Sequence, residues 1–394
     1  MSPCKILLLL STVAGAAYSQ SPICYTSAAV VPTARAEGEA EQTGDIVLSC
    51  TGGTAGAATF IQVAVDLTIN LTSRTFATTP VTSEALLLID DPSPDAVDMS
   101  NGFPYNGQVL GKPGVAAGVT GSGNVYLGEP ASATSVSWSG VPFVAPGPDA
   151  ERTLRIANVR INAASVPIVS GPALVYATVT STLPVNNPNP IVAIAAPGLI
   201  FSAAISAPST ATLTFAESFA TAFQIRILNG PGGPFTSSRQ DIPGEVYYSE
   251  SHFTPCFDYG NCATPPSSAI GLANTGTLLL GRITGLGTAA AFLSVPNQVT
   301  SAPGTEVYLM AGGEPVTSPG NTSLPVTHGT IEFVYEVGVE NASAIDSLPI
   351  AVTLLDSTGA PLSFPANTVF AGYLGPLNST GTASQSAPEP RFVQ

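Results

Sequence analysis

"FIQVAVDLTINLT", Phe60–Thr72, alternates with a period of two. Ile61, Val63, Val65, Leu67, Ile69 and Leu71 fall on one side, and Gln62, Ala64, Asp66, Thr68 and Asn70 on the other. Successive side chains of a strand point to opposite faces, so this stretch reads as a strand with one face on a core. Upstream, "GDIVLSCTGG" repeats the pattern, with Ile46, Leu48 and Cys50 together and a Gly-Gly stop after them. Downstream, "SVSWSGV" sets Val136, Trp138 and Gly140 against serines.

The same signal recurs along the chain. "ERTLRIANVRI", "ALVYATVTST", "IVAIA", "GTLLLGRI", "TEVYLMAG", "GTIEFVYEVGV", "LPIAVTLLD" and "TVFAGYL" all read as short strands. The 36 prolines and 38 glycines punctuate them. Many short strands with no alternating helical segments predict an all-β protein, built as two antiparallel β-sandwich (immunoglobulin-like) domains. One segment departs from the pattern. In "TFAESFATAFQIRI", Phe215, Phe219 and Phe223 recur every four residues, which predicts one short helix plugging the end of a sandwich.

The N-terminus "MSPCKILLLLSTVAGAAYSQ" has a lysine, an apolar run and small residues at Ala17 and Ser19, so residues 1–19 read as a secretory signal peptide. The apolar run is shorter than the roughly 20 residues a membrane span needs, and no membrane span is expected after cleavage. Residues 20–205 are expected to form the N-terminal sandwich and residues 206–385 the C-terminal one, with a long disulfide-containing loop, followed by a tail at 386–394. The expected location is extracellular or at the cell surface, with the periplasm as a further compartment. The net charge of −15 repels phosphate-rich partners and disfavours nucleic acid. Charged residues make up 9% of the chain against about 25% in ordinary domains, so the surface is largely Ser, Thr, Asn, Gly and Ala.

Beyond the leader stand Cys24, Cys50, Cys256 and Cys262. An even count in an exported chain predicts disulfides. Three pairings exist, and short separations favour Cys24–Cys50 and Cys256–Cys262. The second pair lies in "VYYSESHFTPCFDYGNC", Val246–Cys262, where Tyr247, Tyr248, Phe257 and Tyr259 are candidates for a ligand platform. Tyrosine rings bury area at low entropic cost and keep a polar tip, which suits a polysaccharide or another surface protein. The plainer reading is a stapled scaffold loop whose aromatics pack on the sheets.

Several phrases occur together and in order: "RAEGEAEQTGDIVLSCTGGT", "SEALLLIDDP", "TLRIANVRINA", "FAESFATAFQIR", "DIPGEVYYSES", "GTIEFVYEV" and "PEPRFV". As a set they resemble a family of secreted hypothetical proteins from environmental bacteria, over nearly the whole mature chain. The resemblance implies secretion and a β-rich build, and no mechanism.

Catalytic signatures are missing from the sequence. The histidines are His252 and His328, and no H-E-x-x-H, C-x-x-C, G-x-S-x-G or phosphate-binding glycine loop occurs. "LLLIDDPSPDAVDMSNG" gathers Asp90, Asp91, Asp95 and Asp98, but without the spacing of a known calcium loop, and reads as a solvated acidic turn. A glycosidase would need two facing carboxylates, and no motif among the 26 acidic residues selects a pair. The expectation is a secreted, non-enzymatic structural or adhesive protein with no cofactor and no metal. The rival is an extracellular carbohydrate-binding or carbohydrate-active protein.

Overall fold

The computed structural model describes residues 21–73, 75–76, 81–90, 123–169, 171–226, 228–229, 237–238 and 276–375. Their regular structure is nearly all β; the exception among the described residues is a single 3-10 turn at Ala163–Ser165. Pairing is antiparallel except for two short parallel contacts, Cys24–Tyr25 with Val185–Asn186 and Thr33–Arg35 with Ile194–Ala196.

The first half is one twelve-stranded sheet rather than two stacked sheets. Its long strands include Ile46–Gly52, Ala58–Leu67, Ser135–Val144, Gly147–Ala157 and Ala173–Ser181. The inward residues of strands from across this order, from Cys24 and Leu48 through Trp138 and Val63 to Val192 and Ala34, gather in a single core. A sheet whose remote strands share one core must curl over it, so this half departs from the expected immunoglobulin-like sandwich. The alternation read from the sequence holds: Ile46, Leu48 and Cys50 are buried, as are Ile61, Val63, Val65 and Leu67. Trp138 is buried and donates its indole N–H to the Tyr126 carbonyl at 3.0 Å, so its polar atom is satisfied. Leu86 and Leu88, on the strand Thr82–Ile89, face a smaller cluster with Val125 and Ala157.

The second half is a sandwich. A five-stranded sheet contains Leu199–Ala207, Thr210–Glu217 and Ser347–Leu355, and a six-stranded sheet contains Leu278–Thr284, Glu306–Ala311 and Ile331–Val339. Both sheets contribute to one core, with Leu213, Phe215 and Ile350 from the first and Leu279, Val307 and Tyr335 from the second. The Leu199–Ala207 strand straddles the boundary expected at 205/206. It pairs with Thr210–Glu217 and sends Leu199 and Phe201 toward the second core, so the chain passes between cores near Pro197–Gly198.

Of the helix expected over 214–227, the described residues 214–226 form none. Phe215 sits on a strand opposite Leu348, and the chain then turns so that Phe223 is buried and Phe219 packs against the same core. The four-residue recurrence of Phe arises from a strand running into a turn, both aimed at one core.

Candidate functional site: a buried polar junction between the two cores

Cys24 and Cys50 are directly opposite each other on antiparallel strands, fully buried and disulfide-bonded. Cys256, Cys262, Tyr247, Tyr248, Phe257, Tyr259 and His252 lie outside the described residues, as do Asp91, Asp95 and Asp98. Asp90 is described. It accepts the Thr153 N–H at 3.3 Å and pairs with Arg152 at 3.0 Å, so its carboxylate is engaged in the sheet.

The structure brings together two phrases that lie far apart in the chain, "RAEGEAEQTGD" and "FAESFATAFQIR". Arg35 ends a short strand and is 2% exposed. Its guanidinium forks onto Glu41, with Nη2 to Oε1 at 2.7 Å and Nε 3.1 Å from both carboxylate oxygens. Such bidentate pairs are the strong ones, because both charges are hydrogen-bonded in fixed geometry. The Arg35 backbone N–H also donates to Glu41 Oε2 at 3.0 Å. The remaining donors reach into the second half: Nη1 to the Thr277 hydroxyl at 3.0 Å and the Ala222 carbonyl at 3.3 Å, and Nη2 to Gln224 Oε1 at 3.4 Å. Thr277 Oγ1 also accepts the Gln224 N–H at 2.8 Å.

Glu37 ties the same segment to the crossing point. Its carboxylate accepts the Gly198 N–H at 2.7 Å and the Leu199 N–H at 3.4 Å. Gly198 has a steric reason to be glycine, since a Cβ there would stand 2.8 Å from Arg35 Cγ. Gly38 likewise leaves room for Glu41, whose Cδ would be 2.6 Å from an added Cβ. On the first core's side, Arg160 donates to the Ala40 carbonyl at 2.8 Å and lies 3.7 Å from buried Glu84. On the second core's side, Arg226 forks onto buried Glu336 at 2.7 and 2.5 Å, and Glu336 also accepts the Gly276 N–H.

Beneath this junction lies a second polar cluster. Glu217 is 1% exposed and accepts the backbone N–H groups of Phe223 and Asp346, at 2.8 and 2.9 Å. It closes the turn that replaces the expected helix. Asp346 is buried and accepts the hydroxyls of Ser301 and Thr305. Glu340 is partly exposed, yet its Oε1 is sealed from solvent with no hydrogen-bond partner. Burial pushes the Glu217 pKa up to about 7, against the lowering pull of its backbone hydrogen bonds and with Asp346 repulsion adding to the rise. Burial, followed by repulsion from Glu217 and Asp346, pushes Glu340 up to about 9. Near neutral pH this cluster therefore holds protons. Among the described residues no group of three or more His, Cys, Asp or Glu is arranged to hold a metal ion, and no helix is long and apolar enough to cross a membrane.

No family model and no curated protein matches the chain. Among solved structures, it is similar to one described as "Biofilm associated protein - B domain", at 8% identity and a TM-score of 0.17, covering 94% of this chain and 85% of that one. A TM-score that low does not establish a shared fold.

Sequence reasoning missed Arg35, Glu41, Glu217 and Glu340. Neither phrase has the form of a catalytic motif, and the partners of these side chains lie far away in the chain.

Proposed function

We propose that this chain is a secreted, non-enzymatic β-protein with a structural or adhesive role outside the cell or at its surface. The observation that carries this reading is the use of the buried and half-buried charges at the junction. Arg35, Glu37, Glu41, Arg226 and Glu336 are directed onto one another and onto backbone groups that join the two cores. Catalytic groups are instead aimed at a cleft where a substrate can sit. Glu217 has the raised pKa of a general acid, but each of its oxygens accepts a backbone N–H and the side chain is buried, which suits a turn closure. The buried disulfide and the signal-like leader favour export through an oxidising compartment. The resemblance to secreted β-rich proteins points the same way, and the three together support an extracellular or cell-surface location.

The test uses immobilised full-length protein and a panel of surface polysaccharides and whole cells. The proposal expects retention of cells or polymer under flow, with no release of reducing sugar. Sugar release that disappears in Glu217→Gln or Glu340→Gln would contradict it in favour of a carbohydrate-active enzyme. If Tyr247→Ala/Tyr259→Ala abolishes retention, the aromatic stretch is the contact surface.

A further inference from the structure

The five-stranded sheet of the second half ends in two unlike edges. One edge is Asn321–Pro325, five residues long, rich in polar side chains and closed by a proline. Short length, polar groups and proline are the usual protections of an edge strand against pairing with another chain. The other edge is Leu199–Ala207, sequence LIFSAAISA, nine residues long with no charge and no proline. Among the described residues no strand pairs with its outer side. Ser202–Ala207 are exposed whichever face they point to, Ile200 is 56% exposed and Ile205 49%.

From this edge we infer that two copies of the chain associate by antiparallel pairing of Leu199–Ala207, joining their five-stranded sheets into one. A second copy fits for two reasons. The first is electrostatic. The chain carries a net charge of −15, so copies repel in general, yet no charged residue occurs between Arg160 and Glu217. Glu37 reaches the first residue of the edge, Leu199, but the strand lies inside this long neutral stretch and Ile200–Ala207 carry no charge of their own to oppose a second copy. The second is register. A two-fold axis normal to the sheet keeps side chains on their own faces, and centring it on Ala203 pairs Phe201–Ile205, the regular part of the strand before the register shift between Ile205 and Ala207. Ile205 then stands opposite Phe201 of the other copy on the inner face. Phe201 is incompletely covered by its own core, and this pairing extends apolar cover over it and Ile205. Such an interface is isologous and closes at two copies, because the polar, proline-ended edge lies at the far side of each sheet. The inference stands on the edge alone and does not depend on the role proposed above.

Single-cysteine cross-linking with sedimentation reads this directly on the full secreted chain. Ala203 meets its own copy in the centred register, where directly opposite Cβ atoms are about 5 Å apart. Ala203→Cys should form a covalent dimer on mild oxidation, whereas Ser323→Cys, exposed on the other edge, should not. The wild type should sediment as a dimer, and Ile205→Lys should weaken association by about tenfold or more, since an inward lysine is a common edge guard. Ile205 is exposed, so the variant should keep the wild-type far-UV spectrum and melting temperature. A wild type that stays monomeric at every concentration overturns the inference, as does a dimer unaffected by Ile205→Lys. Equal cross-linking at Ala203→Cys and Ser323→Cys overturns it as well. Amides of residues 200–206 that are protected from exchange in the monomer would show the edge covered from within the chain, which also overturns it.

Discussion

The junction and the cluster beneath it bury carboxylates by opposite means. At the junction, Glu41 and Glu336 each meet an arginine fork, which sets a cation against each carboxylate. Below it, Glu217 and Glu340 share a site with Asp346, and they are stabilised by backbone N–H groups or by keeping a proton. Removing water from a carboxylate penalises its charged form, and only a partner or a proton offsets that. The first solution links distant parts of the chain. The second is local and depends on pH.

The largest effect should come from separating a matched pair. Arg35→Met leaves Glu41 buried without its cation and withdraws three contacts to the second half. Breaking a buried pair costs about 3–5 kcal/mol, which chemical denaturation would read as a lowered midpoint. Next comes the disulfide. Cys24→Ala/Cys50→Ala opens a loop with a sequence separation of 26, worth about 3 kcal/mol in the chain-entropy picture. That loss should fall on the first core, and tryptophan fluorescence from Trp138 should report it.

The proton-holding cluster should act within its own pH window. Unfolded, Glu217 and Glu340 titrate near 4.5; folded, near 7 and 9. A folded-state pKa that is raised gives stability fully present below 4.5 and lost as pH rises through 7 and then 9. The melting temperature should therefore fall between pH 5 and pH 9. Glu340→Gln should leave it unchanged at pH 5 and raise it at pH 9. The smallest effect belongs to an ion pair at the surface. Arg282 and Glu332 meet at 2.6 Å but are 30% and 47% exposed, so Arg282→Ala should cost less than about 1 kcal/mol. An Arg282→Ala loss as large as that of Arg35→Met would erase the distinction between matched burial and surface pairing.

The parts of this fold that the sequence displayed are those governed by nearest neighbours. The alternation at Ile46, Leu48 and Cys50, and at Ile61 through Leu67, is a local consequence of the pleat, and it reappears as burial. Phe215, Phe219 and Phe223 mislead because a periodicity of four is also what a strand followed by a turn can produce. What decides between them is Glu217, whose carboxylate accepts N–H groups from Phe223 and from Asp346, the second of these 129 residues away. Arg35 was invisible for the same reason. Its partner Glu41 is six residues away, but Ala222 and Thr277 are 187 and 242 residues distant. The order in which strands join the curled sheet is also non-local, and strand patterns alone do not encode it.

The Arg35–Glu41 junction should make the two cores one cooperative unit. Differential scanning calorimetry of the wild type and of Arg35→Met/Glu41→Met tests it, since the double variant removes both charges together and leaves no unpaired ion. The account predicts a single wild-type transition whose calorimetric and van't Hoff enthalpies agree, and two separated transitions in the variant. A variant that melts in one transition like the wild type, or a wild type that already melts in two, would contradict it.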